Sequence, residues 1–492
     1  MMRAGFMVFM ILLPILGGIL IPVLPFKNRR QMMIYIEGIV LLDSVLVWCL
    51  LLNRPANTFT LFRFTGNLKV SFRLDDLGAV FAGLVATLWP LATLYSFEYM
   101  KHEHNEKVFF LFYTATYGVV LGIAFSMNIL TMYFFYELLT LLTLPLVMHT
   151  LTREAVLAGR TYLYYSLGGA AFGFIGMIFL LVYGNTLNFT PGGVLNMMLV
   201  GDRKQILLVV YVLAFCGFSV KAAMFPFSAW LPQAGVAPTP VTALLHAVAV
   251  VKAGAFATMR LTYYCFGIDF LRGTWAQNVI LALTIFTIVY GCSRAVKETH
   301  LKRRLAWSTV SNLSYILFGV ALMSPLGLTG ALTHMVFHAF MKICSFFCAG
   351  AVIYKTGRNY VHELNGFGRK MPKVFAIFTV SSFALMGVPG LCGFISKWNL
   401  VRGAIDADTP LGYAGVGALL ISALLTAIYM LAIVVRAYFP GKDFDYRTLD
   451  GVEDPNWLML LPLFLFVVAM IGFGLHSEPV TALFEQFASV MN

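Results

Sequence analysis

The sequence predicts an all-α polytopic membrane protein of about fourteen transmembrane helices, built as two inverted five-helix repeats that each contain a broken helix. Three observations predict it. Hydrophobic residues make up 60% of the chain and charged residues only 11%, with a mean hydropathy of +0.83, whereas a soluble domain carries about 25% charge. Apolar runs of about twenty residues, the length that crosses the hydrocarbon core, follow one another almost without a gap. Two of these runs, five spans apart, are interrupted by proline or glycine beside a lysine.

The runs lie near 4–25, 31–52, 75–98, 108–126, 128–150, 159–183 and 206–230, then 238–265, 277–296, 304–323, 326–355, 372–396, 411–438 and 457–476. They group into three N-terminal helices (1–107), a first repeat (108–265), a second repeat (277–438) and a C-terminal loop with the last helix (439–492). The first run precedes its positive charges, Lys27, Arg29 and Arg30, the reverse of a secretory signal, and reads as a retained span. With the N-terminus outside, twenty lysines and arginines fall on inner loops, Lys302, Arg303 and Arg304 among them. Ten fall outside, including Arg3 and Arg260, and this bias predicts that both termini are outside. The net charge of +12 sits mostly in these short loops, without the basic-aromatic stripe of a nucleic-acid surface. The seven cysteines form no CxxC pair and no iron–sulfur spacing, so no cofactor, metal or redox centre is expected in the chain.

Four lysines, Lys221, Lys252, Lys342 and Lys397, fall inside predicted spans. A charge at that depth costs a few kcal/mol and normally faces a bundle interior or a wet cavity. His334, His338 and Lys342 recur at i, i+4 and i+8, so they share one helix face. Because histidine titrates near neutrality, this stripe suits a proton relay. The competing readings are histidines bonded to neighbouring carbonyls, or a metal site on His334 and His338, for which the sequence nearby offers no carboxylate ligand. Glu137 lies in the apolar stretch 133–139 and is expected to pair with Lys221, each stabilising the other's charged form.

Pro226 interrupts the seventh run, and Pro389 with Gly390 interrupts the twelfth. Proline removes a backbone donor and frees a carbonyl, which is tolerated at membrane depth only beside protein or a water-lined cavity. Broken spans in matching positions point to repeat-built transporters. Repeats made of spans 4–8 and 9–13 superpose Lys221 on Lys397, and an odd number of helices inverts one repeat relative to the other.

Several stretches together resemble the antiporter-like membrane subunits shared by respiratory complex I, Mrp-type cation/proton antiporters and membrane-bound energy-converting hydrogenases. They are 134–138 around Glu137, 218–227 around Lys221 and Pro226, 230–232, 237–247 with His246, 301–311, 338–342 and 387–397. The resemblance implies fourteen helices with two inverted repeats. It implies an ion pair of Glu137 and Lys221, a connection through His246 and Lys252, its continuation through His334, His338 and Lys342, and Lys397 as the exit-side lysine.

Tyr136 stands where the family often has tryptophan, and Lys397 is a lysine where one complex I subclass has glutamate. The chain ends soon after the fourteenth span, without the long lateral helix of the largest subclass. The resemblance implies a proton-translocating subunit of a redox-driven complex in a prokaryotic cytoplasmic membrane, hydrogenase or complex I-like. Its partners would be other membrane subunits and peripheral redox subunits, with no catalytic centre in this chain. The alternative within the family is a subunit of an Mrp-type sodium/proton antiporter. From another class, the alternative is a membrane enzyme with a metal at His334 and His338.

Overall fold

The chain is mostly helical, with a largely apolar core in which a few charged side chains are buried. The computed structural model describes residues 5–54, 57–66 and 68–491, so the start of the first predicted run, with Arg3, lies outside the described residues. The N-terminal helices are α1 (Phe6–Leu20), α2 (Arg29–Leu52) and α3 (Asp76–Tyr99). They are followed by α4 (Glu106–Ala124), α5 (Ile129–Val147), α6 (Arg153–Tyr183), α7 (Lys204–Ser219), α8 (Thr239–Ala247) and α9 (Val250–Met259). The second half holds α10 (Trp275–Lys297), α11 (Leu301–Ala321), α12 (Pro325–Thr356), α13 (Pro372–Met386) and α14 (Cys392–Asp406). It closes with α15 (Pro410–Tyr438), α16 (Trp457–Leu475) and α17 (Glu478–Ser489).

Short polar side chains start many of these helices. Asn28, Asp75, Asn128, Thr152, Ser324 and Thr409 each accept a backbone N–H of the first turn, satisfying donors that have no partner within the helix. Among the described residues, ten helical stretches are long and apolar enough to cross a membrane. The chain is therefore a multi-pass membrane protein. Every run expected from the sequence contains a helix. The seventh stops at Ser219 and the twelfth changes from α13 to α14 across residues 387–391, where breaks were expected. The eighth is also broken, between Ala247 and Val250, although it carries neither proline nor glycine there.

The longest helix, α12, is the buried axle of the fold: it packs on α3, α8, α11, α13, α14, α16 and α17. On its outer side α2 presents Leu41, Leu42, Val45 and Trp48. Between α2 and α3 lies a hairpin that the membrane-span reading did not foresee, with β1 (Phe59–Thr65) antiparallel to β2 (Leu68–Phe72). Its alternating aromatic and polar residues have the period of a strand.

Three charges assigned to loops are in fact buried. Lys302 and Arg304, expected on an inner loop, lie in the first turn of α11 at 6% and 7% exposure. Lys302 donates to the Ala237 carbonyl at 2.8 Å and Arg304 to that of Tyr429 at 3.1 Å. Arg260, expected outside, is fully buried just beyond α9. Its guanidinium donates to both carboxylate oxygens of Asp75 at 2.5 and 2.6 Å. The rings of Phe189, Phe256 and Tyr264 surround it at 4.6, 4.9 and 4.6 Å. A planar cation with a two-pronged acceptor and aromatic faces is the form in which a charge is best held away from water. Because Asp75 also caps α3, this pair ties the N-terminal helices to the first half of the bundle.

Removing the guanidinium would leave the Asp75 carboxylate with only the long contact to Arg73, at 3.8 Å, and the N–H of Gly78. Arg260→Ala is expected to destabilise the protein by about 3–5 kcal/mol, measured by thermal unfolding in detergent. A smaller test lies at the membrane surface. Burial, then the charges of Lys302 and Arg303, depress the His300 imidazole to about 4. An unfolded histidine takes up its proton near pH 6.5. The stability tied to neutral His300 is therefore complete above about pH 6.5 and is lost as the pH falls toward about 4. His300→Asn should flatten that part of a pH-stability profile.

Candidate functional site: a buried row of amines and imidazoles

Lys221, His246, Lys252, His334, His338 and Lys342 are all fully buried, and Lys397 is part-buried. Three of the four lysines sit in or beside breaks in the helices. Beyond Ser219 the chain leaves helical geometry, with Ala223 at φ +54°, and Lys221 sits in that turn. A Cβ at Gly254 would lie 2.7 Å from the Ala222 nitrogen and 3.0 Å from the Lys221 carbonyl carbon. Only glycine lets α9 press against the turn. The second break, between Ala247 and Val250, separates His246 from Lys252. The third leaves the last carbonyls of α13 without intrahelical partners.

Lys397 fills that third vacancy. Its ammonium donates to the carbonyls of Leu385 and Met386 at 2.7 and 2.9 Å, and it lies 5.6 Å from the centre of the Tyr315 ring. Gly387, at φ +92°, ends α13, and a Cβ there would meet the Lys397 side chain at 3.0 Å. Lysine and broken helix thus satisfy each other.

The middle of the row is in direct contact. Lys252 Nζ lies 2.9 Å from His338 Nδ1. The His338 and His334 rings stack with centres 5.5 Å apart, as their i, i+4 spacing on α12 requires. His334 Nδ1 lies 2.9 Å from the Ser396 hydroxyl, beside Lys397, and its ring is 5.0 Å from that of Tyr315. His334 Nε2 and His338 Nε2 are buried without a hydrogen-bond partner. The row therefore runs from α9 through α12 to α14 by way of groups that both accept and release protons.

Lys342 branches sideways. It donates to Ser308 at 2.8 Å, and Ser308 also accepts from Tyr429 at 2.7 Å. Tyr429 reaches Thr426 at 3.1 Å. Cys292 lies 3.8 Å from Thr426 and 2.8 Å from Ser422. Ser422 accepts from Tyr315 at 2.8 Å. Hydroxyls of α11 and α15, with one thiol of α10, thus link the surroundings of Lys342 to the ring beside Lys397. Sequence reading passed over Ser308, Tyr315, Ser396, Ser422 and Tyr429. The available signal was the density of polar residues in 308–315.

His246 stands apart from direct contact. Its ring lies 4.7 Å from that of Phe346, one turn beyond Lys342 on α12, with both ring nitrogens unpartnered. At the other end, Glu137 and Lys221 are within electrostatic reach but form no hydrogen-bonded ion pair. Instead, Lys221 donates to the Tyr136 carbonyl and lies over the Tyr136 ring, 3.4 Å from its centre. Glu137 Oε1 is buried and unpartnered. Pro226 lies in the turn after Lys221, and Pro389 and Gly390 lie in the gap that Lys397 caps.

Such a fold, with amines and imidazoles buried among apolar helices, defines a membrane ion-transport subunit. Residues 126–432 match the family described as NADH:quinone oxidoreductase/Mrp antiporter, transmembrane, and residues 63–110 match the N-terminal part of chain 5 of NADH-ubiquinone oxidoreductase (complex I). The protein belongs to this family as an antiporter-like membrane subunit. It is 28% identical to NADH-quinone oxidoreductase subunit N of Desulforudis audaxviator over 429 residues, 84% of either chain. Its fold is that of a chain in the Mrp complex from Dietzia sp. DQ12-45-1b, with a TM-score of 0.86, 20% identity and coverage of 100% of this chain and 98% of the other. A chain of Thermus thermophilus respiratory complex I with bound NADH superposes with a TM-score of 0.80 at 23% identity, over 99% of this chain and all (100%) of the other.

Replacing Lys397 by methionine strands two carbonyls at the helix break. Lys397→Met is expected to cost about 1–3 kcal/mol in thermal unfolding, and Lys397→Arg, which still donates, should recover part of it.

Proposed function

We propose that the protein carries protons through the membrane along Glu137, Lys221, His246, Lys252, His338, His334, Lys342 and Lys397, as one subunit of a multi-subunit redox-driven complex. The observation that carries this reading is the contact of Lys252 with His338, continued by the stacked His334 and its hydroxyl neighbour beside Lys397. Neutral acceptors hold these amines, so a proton leaving one does not have to break a fixed ion pair. Moving a charge against about 100 mV takes about 2.3 kcal/mol, equivalent to a change of roughly fifty-fold in proton affinity. A rearrangement around Lys221, moving it between Tyr136 and Glu137, is enough to supply that.

The names of relatives such as NADH-quinone oxidoreductase subunit N support a complex I-like or hydrogenase-like host, with electrons passing through other subunits. The same residues suit a second reading, sodium/proton antiport without a redox partner, which the Mrp antiporter part of the family description supports. In either host we read fourteen crossings, with repeats at 108–265 and 277–438 inverted relative to one another. The helices found within every expected run and the matching breaks near Lys221 and Lys397 support this. We read it as a protein of a cytoplasmic membrane with both termini outside, the orientation that the loop charges support.

Lys221→Ala in the assembled complex should abolish proton uptake into vesicles, and Glu137→Gln should lower it strongly. Undiminished uptake in Lys221→Ala would reject the row as the path. Subunits that co-purify in mild detergent decide the host, redox subunits for the first reading and antiporter subunits alone for the second.

A further inference from the structure

The row described above leaves two buried carboxyl groups unused, both on α2. Asp43 lies near the middle of that helix at 0% exposure, and neither of its oxygens has a hydrogen-bond partner. It belongs to the buried stripe Met32, Ile36, Val40, Asp43, Val47 and Leu50, so it faces the bundle and not lipid. Glu37 lies six residues earlier, about 9 Å along the helix axis, and its Oε2 is likewise buried and unpartnered.

The other acids of the neighbouring helices are engaged. Asp76 pairs with Arg54 at 2.5 Å, Glu106 with Arg29 at 2.6 Å, and Glu98 accepts from Tyr354 at 2.8 Å. No lysine, arginine or histidine among the described residues forms an ion pair with Asp43 or Glu37. Helix α1 carries no titratable side chain over its length. The groups that α3 and α4 bring to this region are Trp89, Tyr113 and Tyr117. Trp89 stacks on Tyr117 at 5.1 Å and tilts against Tyr113 at 5.5 Å. The Tyr117 hydroxyl lies 2.9 Å from Ser44, next to Asp43, and Asp43 is within electrostatic reach of Tyr117. Trp89 Nε1 and the Tyr113 hydroxyl, in the same stack, are also buried and unpartnered.

An unpaired carboxylate in hydrocarbon is among the costliest groups a protein can hold, and it must be neutralised by something. With no basic side chain to do so, the neutralising group is a small cation. We infer that Asp43, whose neighbour Ser44 shares a hydrogen bond with Tyr117, binds a monovalent cation, a proton or a sodium ion, at a site in the N-terminal helices separate from the lysine–histidine row. Glu37, nearer the start of α2, is a second buried carboxyl on the same helix.

The test is infrared difference spectroscopy on the assembled complex in lipid, comparing the wild type with Asp43→Asn and Asp43→Glu. The expected result is a carboxyl band that is lost in Asp43→Asn and shifted in Asp43→Glu. In the wild type it should change either with pH, which identifies a proton, or with sodium chloride replacing choline chloride at fixed pH, which identifies sodium. A band sensitive to Asp43→Asn that responds to neither titration overturns the inference, as does the absence of any such band. This readout needs no transport, so it stands or falls independently of the Lys221→Ala result.

Discussion

The ammonium of Lys397 resting on the free carbonyls of Leu385 and Met386 expresses the constraint on which the rest of the structure depends. In hydrocarbon neither a charge nor an open backbone group can be left to water. A broken helix needs donors and a buried lysine needs acceptors, and placing one at the other answers both needs. Lys221, in its own helix break, is held instead by the Tyr136 carbonyl of the unbroken α5. At Lys397 the break and the lysine are one device.

The protein holds buried charges in two ways, and the difference separates a structural pair from the row proposed to carry protons. Arg260 and Asp75 form a two-pronged pair enclosed by three rings. Arginine does not release its proton in proteins, so this pair locks helices together. The amines of the row instead meet carbonyls, hydroxyls and imidazoles. These hold an ammonium without fixing it as an opposite charge would, which leaves the proton free to be exchanged. Helix α12 contributes His334, His338 and Lys342 to this row while packing against seven other helices, so the groups proposed to exchange protons sit on a buried central helix.

Parts of this arrangement could be read directly because apolar sequence makes charge conspicuous. Lys221, Lys252, Lys342 and Lys397 stand out among leucines and phenylalanines, and the three-residue stripe on α12 follows from the helical period alone. The hydroxyl branch left only one trace in the sequence, the density of polar residues in 308–315. A serine or threonine in a membrane helix commonly bonds its own preceding turn, as Thr309 does with Leu305 at 2.9 Å and Thr333 with Thr329 at 2.7 Å, and nothing local separates these from Ser308 or Ser422. The break before Val250 carries no proline or glycine to announce it. Arg260, Lys302 and Arg304 were assigned to loops because counting loop charges presumes that basic residues near a span end face water. Glu37 and Asp43 passed unnoticed because an acid in a run as apolar as α2 does not reveal which side of the helix it faces.

The sequence by itself determined the membrane class, the order of the helices, two of the three breaks and the identity of the buried amines and imidazoles. These follow from hydropathy, periodicity and the backbone chemistry of proline, all local properties. The tertiary structure decided the partners: Lys252 against His338, Lys397 against the carbonyls of its own broken helix, and Lys221 over Tyr136, where an ion pair with Glu137 had been expected. Partners between helices depend on how they pack, on close approaches such as that at Gly254, and on the exact rotation of each helix. Those are properties of the assembled bundle, which no local window of residues contains.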